Sequence, residues 1–369
     1  MTLRHRAALA LTCLVLFAAA AAAAPQITAG PYLQNVTQTS ITVMWETSEP
    51  AGSRVDYGAT NAYGQSAAAP QAVKIHEVTL TGLQPETRYH YRVASTGAAS
   101  DDATFDTAIQ PATPFRFCVW GDSQSHPEVF GPIAAAMAKE QPRLAVCVGD
   151  SVSDGEDYAQ WKERLFDPAA PLMRTAPVYV AIGNHEKNSH WFYDYLSYPA
   201  PEDYYAFTYG NSRFVIVDTQ QDYAPQSAQY RWLEKELASP EAQNATWLFA
   251  FHHKPGYCEG WDSIAYDGEE DVRRHLMPLF EKYAVDLVFN GHAHDYERGF
   301  MNGVHYIISG GGGGTLDHWV RGLEHVAVSR SAHHYCTVDI AGRELTLRAI
   351  TPSGELLDTI TLRKRPVHP

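Results

Sequence analysis

The sequence predicts an α/β domain preceded by a small all-β module, and three observations carry that expectation. From Phe115 onward, apolar strand-like runs alternate with helix-like stretches at Glu128 to Lys139, Tyr158 to Phe166, Gln226 to Leu237 and Val272 to Tyr283. Strands separated by helices imply a sheet with helices on its faces. Before that point, residues 26–110 hold short alternating runs such as Ile41-Thr42-Val43-Met44-Trp45 and Tyr89-His90-Tyr91-Arg92-Val93. Turn clusters at Ser48-Glu49-Pro50 and Leu83-Gln84-Pro85 part them, the spacing of a small antiparallel sandwich. Finally, 369 residues with 45% hydrophobic and 19% charged side chains suffice for two domains with a sizeable core and exclude wholesale disorder.

In chain order, residues 1–24 read as a secretory signal peptide. Arg4, His5 and Arg6 precede an Ala-rich apolar run that ends at Ala24, and Pro25 follows. Weakly apolar Ala dominates the run, which favours export over anchoring, and no later segment is long and apolar enough to span a bilayer. A secreted or periplasmic protein, unattached to membrane after cleavage, is expected. Residues 25–110 form the sandwich, Gln110-Pro111-Ala112-Thr113-Pro114 the linker, and residues 111–369 the second domain. After Ala332 that domain reverts to short strands, Tyr335 to Val338, Leu345 to Ile350 and Asp358 to Leu362.

The net charge of −14 argues against nucleic-acid binding, which needs a basic footprint, but not against anionic substrates, because a bound cation can invert the local field. Beyond Cys13 the cysteines are Cys118, Cys147, Cys258 and Cys336. Cys118 and Cys147 lie in apolar runs and read as buried small hydrophobes, a Cys258–Cys336 bridge is conceivable, and no C-x-x-C suggests a thiolate metal site.

Five apolar runs of the second domain end in residues able to hold metal. They run into Asp122, into Gly149-Asp150, into Gly183-Asn184-His185-Glu186, into His252-His253, and into Gly291-His292-Ala293-His294. One strand ending in Asp is usually a cap or turn, but five such ends in one domain argue for a shared site, because ligands gather beyond the carboxyl ends of strands. His292 and His294, two apart, project to one side of an extended backbone. Carboxylate, amide oxygen and imidazole without thiolate suit Mn, Zn, Fe or Co. Two aspartates, an asparagine and three or four histidines exceed what one ion needs. They suit two ions sharing a carboxylate, an arrangement that activates water and clamps a phosphoryl group.

These five blocks resemble the signature of calcineurin-like metallophosphoesterases. Gly30-Pro31-Tyr32-Leu33-Gln34, Tyr296-Glu297-Arg298 and Ser309-Gly310-Gly311-Gly312 bring the likeness closer to purple acid phosphatases, which join a fibronectin type III-like module to that domain. Leu80 to Tyr89 resembles the corner of such modules, with Tyr89 as the corner tyrosine. The resemblance implies a four-layer α/β/β/α metallophosphoesterase sandwich behind the β-module. It implies one metal on Asp122, Asp150 and His294 and a second on Asp150, Asn184, His253 and His292, with Asp150 bridging. His253 is preferred over His252 because Pro255 follows two residues later. His185, with Asn184, would bind the phosphate, and His185 would protonate the leaving group. The implied cofactors are two divalent or mixed-valence ions. The implied reaction is hydrolysis of small phosphate monoesters by metal-bound hydroxide. A phosphodiesterase or nucleotidase on the same site is the alternative, and a binding protein with an inert site is the alternative of another class.

Two positions depart from the family pattern. Ser153 stands where purple acid phosphatases place a tyrosine ligand, with Tyr158 the nearest substitute phenol, and Gln124 stands where they have glycine. Gln124 could ligate through its amide oxygen or support a ligand. Other features take plainer readings. Gly310 to Gly314 is expected to be a turn beside the metals rather than a P-loop, and His333-His334 a loop or strand-edge pair. The acidic stretch around Asp267 to Asp271 reads as a solvated loop and helix start. The loop bearing Tyr257, Trp261 and Tyr266 could shape the substrate pocket.

Overall fold

A computed structural model describes residues 24–261, 266–318 and 322–365. The expected signal peptide, apart from Ala24, lies outside the described residues.

The second domain stacks two sheets. The first runs in the order Leu356–Arg363, Glu344–Ile350, Tyr335–Ala341, Phe115–Trp120, Leu144–Cys147 and Val178–Val180. The second runs Tyr205–Tyr209, Ser212–Ile216, Trp247–Phe251, Leu287–Asn290, Val304–Ser309, Tyr296–Met301 and Val326–Arg330. Side-chain alternation explains the layering. Phe117 of the first sheet meets Phe214 and Phe249 of the second edge-on, with ring centroids 5.1 and 5.2 Å apart. The neighbouring residues Val215, Leu248, Ala250 and Val288 face the other way, onto Leu233, Leu237 and Phe280 of the covering helices. On the far side, Phe130 of helix Pro127–Lys139 stacks on Trp120. The result is the four-layer α/β/β/α sandwich.

Within each sheet the strands that carry the chemistry are parallel: Phe115–Trp120 with Leu144–Cys147, that strand with Val178–Val180, and Trp247–Phe251 with Leu287–Asn290. Their carboxyl ends therefore emerge on one edge of the stack. Parallel strands buried on both faces read as unbroken apolar runs, as these do.

Several boundaries differ from expectation. Ser48-Glu49-Pro50 is not a turn: a single strand, Ser40–Gly58, runs through it. A register shift between Glu46 and Ala51 absorbs Pro50, which cannot donate to a ladder. This strand pairs with Ile27–Gln34 through Thr42 to Thr47 and with Arg88–Ser95 through Arg54 to Gly58, so its bend links the layers of the β-module. The expected helix from Tyr158 continues through a wide π turn, Trp161–Phe166, into Asp167–Met173. Tyr89 behaves as a corner tyrosine, its hydroxyl accepting the Gln84 N–H at 3.0 Å.

Cys258 and Cys336 are not bridged. Cys336 lies within a central strand beside Val119 and its sulfur contacts Ser309 Oγ, whereas Cys258 packs in a separate cluster with Ala293 and Ile308. Cys118 and Cys147 are fully buried. His333 and His334 lie, as expected, in the loop before the strand Tyr335–Ala341, but His334 is fully buried there, held between Ser309 Oγ and the Ala332 carbonyl.

Candidate metal centre

The polar strand ends meet because their turns are bonded to one another. Asp122 N–H donates to the Gly149 carbonyl at 3.0 Å, and Gly291 N–H donates to the His253 carbonyl at 3.0 Å. Asp122, Asp150 and His292 all take left-handed backbone angles, with φ of 58°, 55° and 72°. Such angles turn the chain sharply at the strand end and aim the side chain back over the sheet edge. At Gly149, φ is 98°, and a Cβ there would stand 2.6 Å from His253 Nδ1 and 2.9 Å from the Gly183 Cα, so three of the turns touch where no side chain fits.

Two groups of donors result. In the first, His253 Nε2 lies 3.2 Å from Asp150 Oδ2, 3.1 Å from Asn184 Oδ1 and 3.2 Å from His292 Nδ1. Donor atoms of Asp150, His253 and His292 all fall within 4.8 Å of one another, close enough to share an ion. In the second, His294 Nε2 lies 3.6 Å from Asp122 Oδ1 and 3.3 Å from the Gln124 amide.

Outer partners fix which nitrogen each ring presents. His253 Nδ1–H donates to the Val148 carbonyl at 2.9 Å, and His294 Nδ1–H donates to the Thr315 carbonyl at 2.7 Å. Both rings thus turn Nε2 inward. His252 goes elsewhere: its ring pairs with the Lys254 carbonyl and the Asn290 amide, and it stacks on Phe280.

The electrostatics are those of a site that favours a cation. Asp122 and Asp150 are buried, and among the described residues their ion-pair partners are histidines. Burial drives the Asp122 carboxyl well above its ordinary pKa despite nearby His253. At Asp150 burial is outweighed by His253 and His185, which hold the carboxyl below the usual range. Burial would depress His253, yet Asp150 and Asp122 push it up to about 9, while burial and the charge of His253 press His292 down to about 3. The two buried carboxylates thus favour positive charge at the position of His253. Gln124 Oε1 is buried and has no hydrogen-bond partner. It is the amide nitrogen of Gln124 that faces the His294 ring, so the side chain stands beside this ligand with its buried oxygen unpaired.

His185 sits at the rim, its side chain 39% exposed and its Nε2 3.9 Å from Asp150 Oδ2. Its Nδ1–H donates to the Ser153 carbonyl at 2.7 Å, and its backbone N–H donates to Asp150 Oδ1 at 2.9 Å. Ser153 Oγ–H donates to the Gln124 carbonyl at 2.6 Å, so this serine orders the Gln124 turn. Tyr158 does not reach the cluster: its hydroxyl donates to Glu46 of the β-module.

Glu186 was legible only as a motif member, and the structure gives it a definite task. Its Oε2 accepts the N–H groups of Asp150 and Gly183 at 2.9 and 2.8 Å, and its Oε1 accepts the N–H and Oγ–H of Ser151 at 2.6 and 2.7 Å. One buried carboxylate thus pins two of the turns. The glycine run behaves as expected, since a Cβ at Gly310 would collide with the Ala293 carbonyl and Asp122, and one at Gly314 with the His294 ring.

Residues 115–296 match the family Calcineurin-like phosphoesterase, and residues 30–107 match Purple acid Phosphatase, N-terminal domain. The chain carries a calcineurin-like phosphoesterase domain behind a purple acid phosphatase N-terminal domain. Among curated relatives, purple acid phosphatase 23 of Arabidopsis thaliana is 31% identical over 65% of this chain and 62% of its own length. A nucleotide pyrophosphatase/phosphodiesterase of Hordeum vulgare is 27% identical over 51% of this chain and 62% of its own. The chain thus spans about three fifths of these relatives. A purple acid phosphatase from yellow lupin seeds shares the fold, with a TM-score of 0.79 at 20% identity over 92% of this chain and 74% of the other. Among the described residues, no helix is long and apolar enough to cross a membrane.

Proposed function

We propose that the protein is an exported phosphoesterase that hydrolyses small phosphate monoesters at two divalent ions. The observation that carries this reading is the convergence of Asp122, Asp150, Asn184, His253, His292 and His294 at the ends of parallel strands, with their rings already oriented. Asp122, Asp150 and His294 would hold one ion and Asp150, Asn184, His253 and His292 the other, with the Gln124 amide beside His294 of the first set. Bound there, the ions supply Lewis-acid activation of water and neutralise phosphate charge.

The chain's own residues supply the rest. Asp150 would be the carboxylate shared by both ions, and Asn184 and His185 would flank the phosphate. With Nδ1–H tied to the Ser153 carbonyl, a protonated His185 offers its Nε2–H to the ester oxygen that leaves. The ligand set has no phenolate, since Ser153 serves the Gln124 turn and Tyr158 serves Glu46, so Mn, Zn, ferrous Fe or Co suits the site better than ferric iron. The leader residues support export. A small anionic ester, rather than nucleic acid, suits a cluster this confined on so acidic a chain.

The barley relative named a nucleotide pyrophosphatase/phosphodiesterase favours one second reading, cleavage of diesters on the same site. Rates on p-nitrophenyl phosphate and bis-p-nitrophenyl phosphate, after dialysis against single metals, separate the two. Faster turnover of the monoester is expected, and faster turnover of the diester would reassign the substrate.

A further inference from the structure

One flank of the metal centre is built from aromatic rings that coordination does not require. Trp261 lies 5.0 Å, ring centroid to centroid, from His292, and Tyr266 lies 5.5 Å from it; the two rings are 4.4 Å apart. Both pack on Cys258, Ala293 and Ile308, beside the turn that presents His292 and His294. The atoms beneath are fully covered, whereas Trp261, Tyr266 and His292 each keep part of their surface open.

The rings are held in place from below. At the neck of their loop Gly256 meets Gly268, whose φ of +100° and close approach leave no room for a Cβ (2.3 Å from the Gly256 carbonyl oxygen). Cys258 N–H donates to the Asp267 carbonyl at 3.2 Å. Arg273 donates to the Gly256 carbonyl at 2.8 Å and lies over the Tyr257 ring. Trp261 N–H donates to the His318 carbonyl at 3.2 Å, and Tyr266 Oη–H donates to Glu269 at 3.3 Å. Glu269 is itself tied back to the Pro255 carbonyl at 2.9 Å. A ring pair fixed in this way loses little freedom when a ligand stacks on it.

We propose that Trp261 and Tyr266 form a stacking wall for the organic part of the substrate, making the site selective for aryl phosphate esters over small aliphatic ones. A phosphate seated over Asp150, His253 and His292 has His185 on the Asn184 side and the two rings on the His292 side. An aromatic ring one bond from the phosphate oxygen is placed to meet that wall, whereas a methyl or glyceryl group is too small or too polar to cover it. This inference rests on the phosphoesterase reading and adds to it the class of alcohol.

The test is the binding of phenylphosphonate and methylphosphonate to the Mn²⁺-loaded protein by calorimetry, with the ratio of their affinities as the readout, because general damage to the metals weakens both alike. The wild type should prefer the phenyl ligand by about five- to tenfold. The preference should fall towards unity in Trp261→Ala and Tyr266→Ala and persist largely in Trp261→Phe. Equal affinities in the wild type, or an undiminished ratio in both alanine variants, would overturn the wall. If neither phosphonate binds at millimolar concentration, the phosphoesterase reading itself fails.

Discussion

Asp122, Asp150 and His292 each sit at a backbone angle that costs a side-chain-bearing residue about 1 kcal/mol or more, and each does so beside the cluster. Strain of this kind is tolerated where a sharp reversal is needed to present a side chain, and bound metal would offset it. Asp150 carries the heaviest duty. Asp150→Ala should abolish turnover and lower bound metal, because two cations then face each other without the shared carboxylate. Retention of activity with two ions per chain, measured by mass spectrometry, would remove Asp150 from the bridge. His185 differs, since its ring lies at the rim with Nδ1 already engaged. His185→Ala should keep both metals and lose about 10²–10⁴-fold in rate. The loss should be greater for alkyl phosphates than for p-nitrophenyl phosphate, whose leaving group needs little protonation. Equal losses on both would deny it the proton.

At the scale of elements, the strand ends were readable because a parallel strand buried on both faces is an apolar run, and any polar residue at its end stands out. Glu186 was not readable in the same way. Its partners, Asp150, Ser151 and Gly183, lie up to 36 residues away in sequence and offer backbone N–H groups, which no side-chain pattern announces. Glu186→Ala would leave three buried N–H groups without an acceptor, at about 1–3 kcal/mol each. Urea unfolding of the metal-free variant should show a loss of about 3 kcal/mol or more, with Glu186→Gln intermediate. The strand Ser40–Gly58 was misread because Pro50 is an honest turn signal in isolation, and only pairing on both sides of the bulge overrides it. The choice between His252 and His253 rested on Pro255, whereas in the structure the carbonyls of Lys254 and Val148 decide which ring faces inward.

Across the whole molecule, the β-module is tied to the second domain by buried hydrogen bonds. Tyr32 Oη–H donates to the Tyr195 carbonyl at 2.8 Å, the Val36 N–H donates to Tyr179 Oη at 3.1 Å, and Glu46 accepts from Tyr158 and Tyr195. The two domains should therefore unfold in one calorimetric transition, and two separated transitions would show the interface to be weak. Acid should destabilise the whole. Burial holds His334 down to about 4, so between pH 6.5 and 4 the unfolded chain takes up a proton that the folded chain refuses. Stability from this group is present above pH 6.5 and is lost as the pH falls, by about 2 kcal/mol at pH 5. Urea midpoints for wild type and His334→Gln should converge at pH 5 relative to pH 7.5, and parallel shifts would show that His334 does not titrate. The most direct test of the central claim is calorimetric titration of the chelator-treated protein with Mn²⁺ or Zn²⁺, followed by assay on p-nitrophenyl phosphate. Two equivalents bound per chain, with activity appearing as they fill, is the predicted result; hydrolysis without added metal, or saturation at a single equivalent, would contradict the two-ion centre.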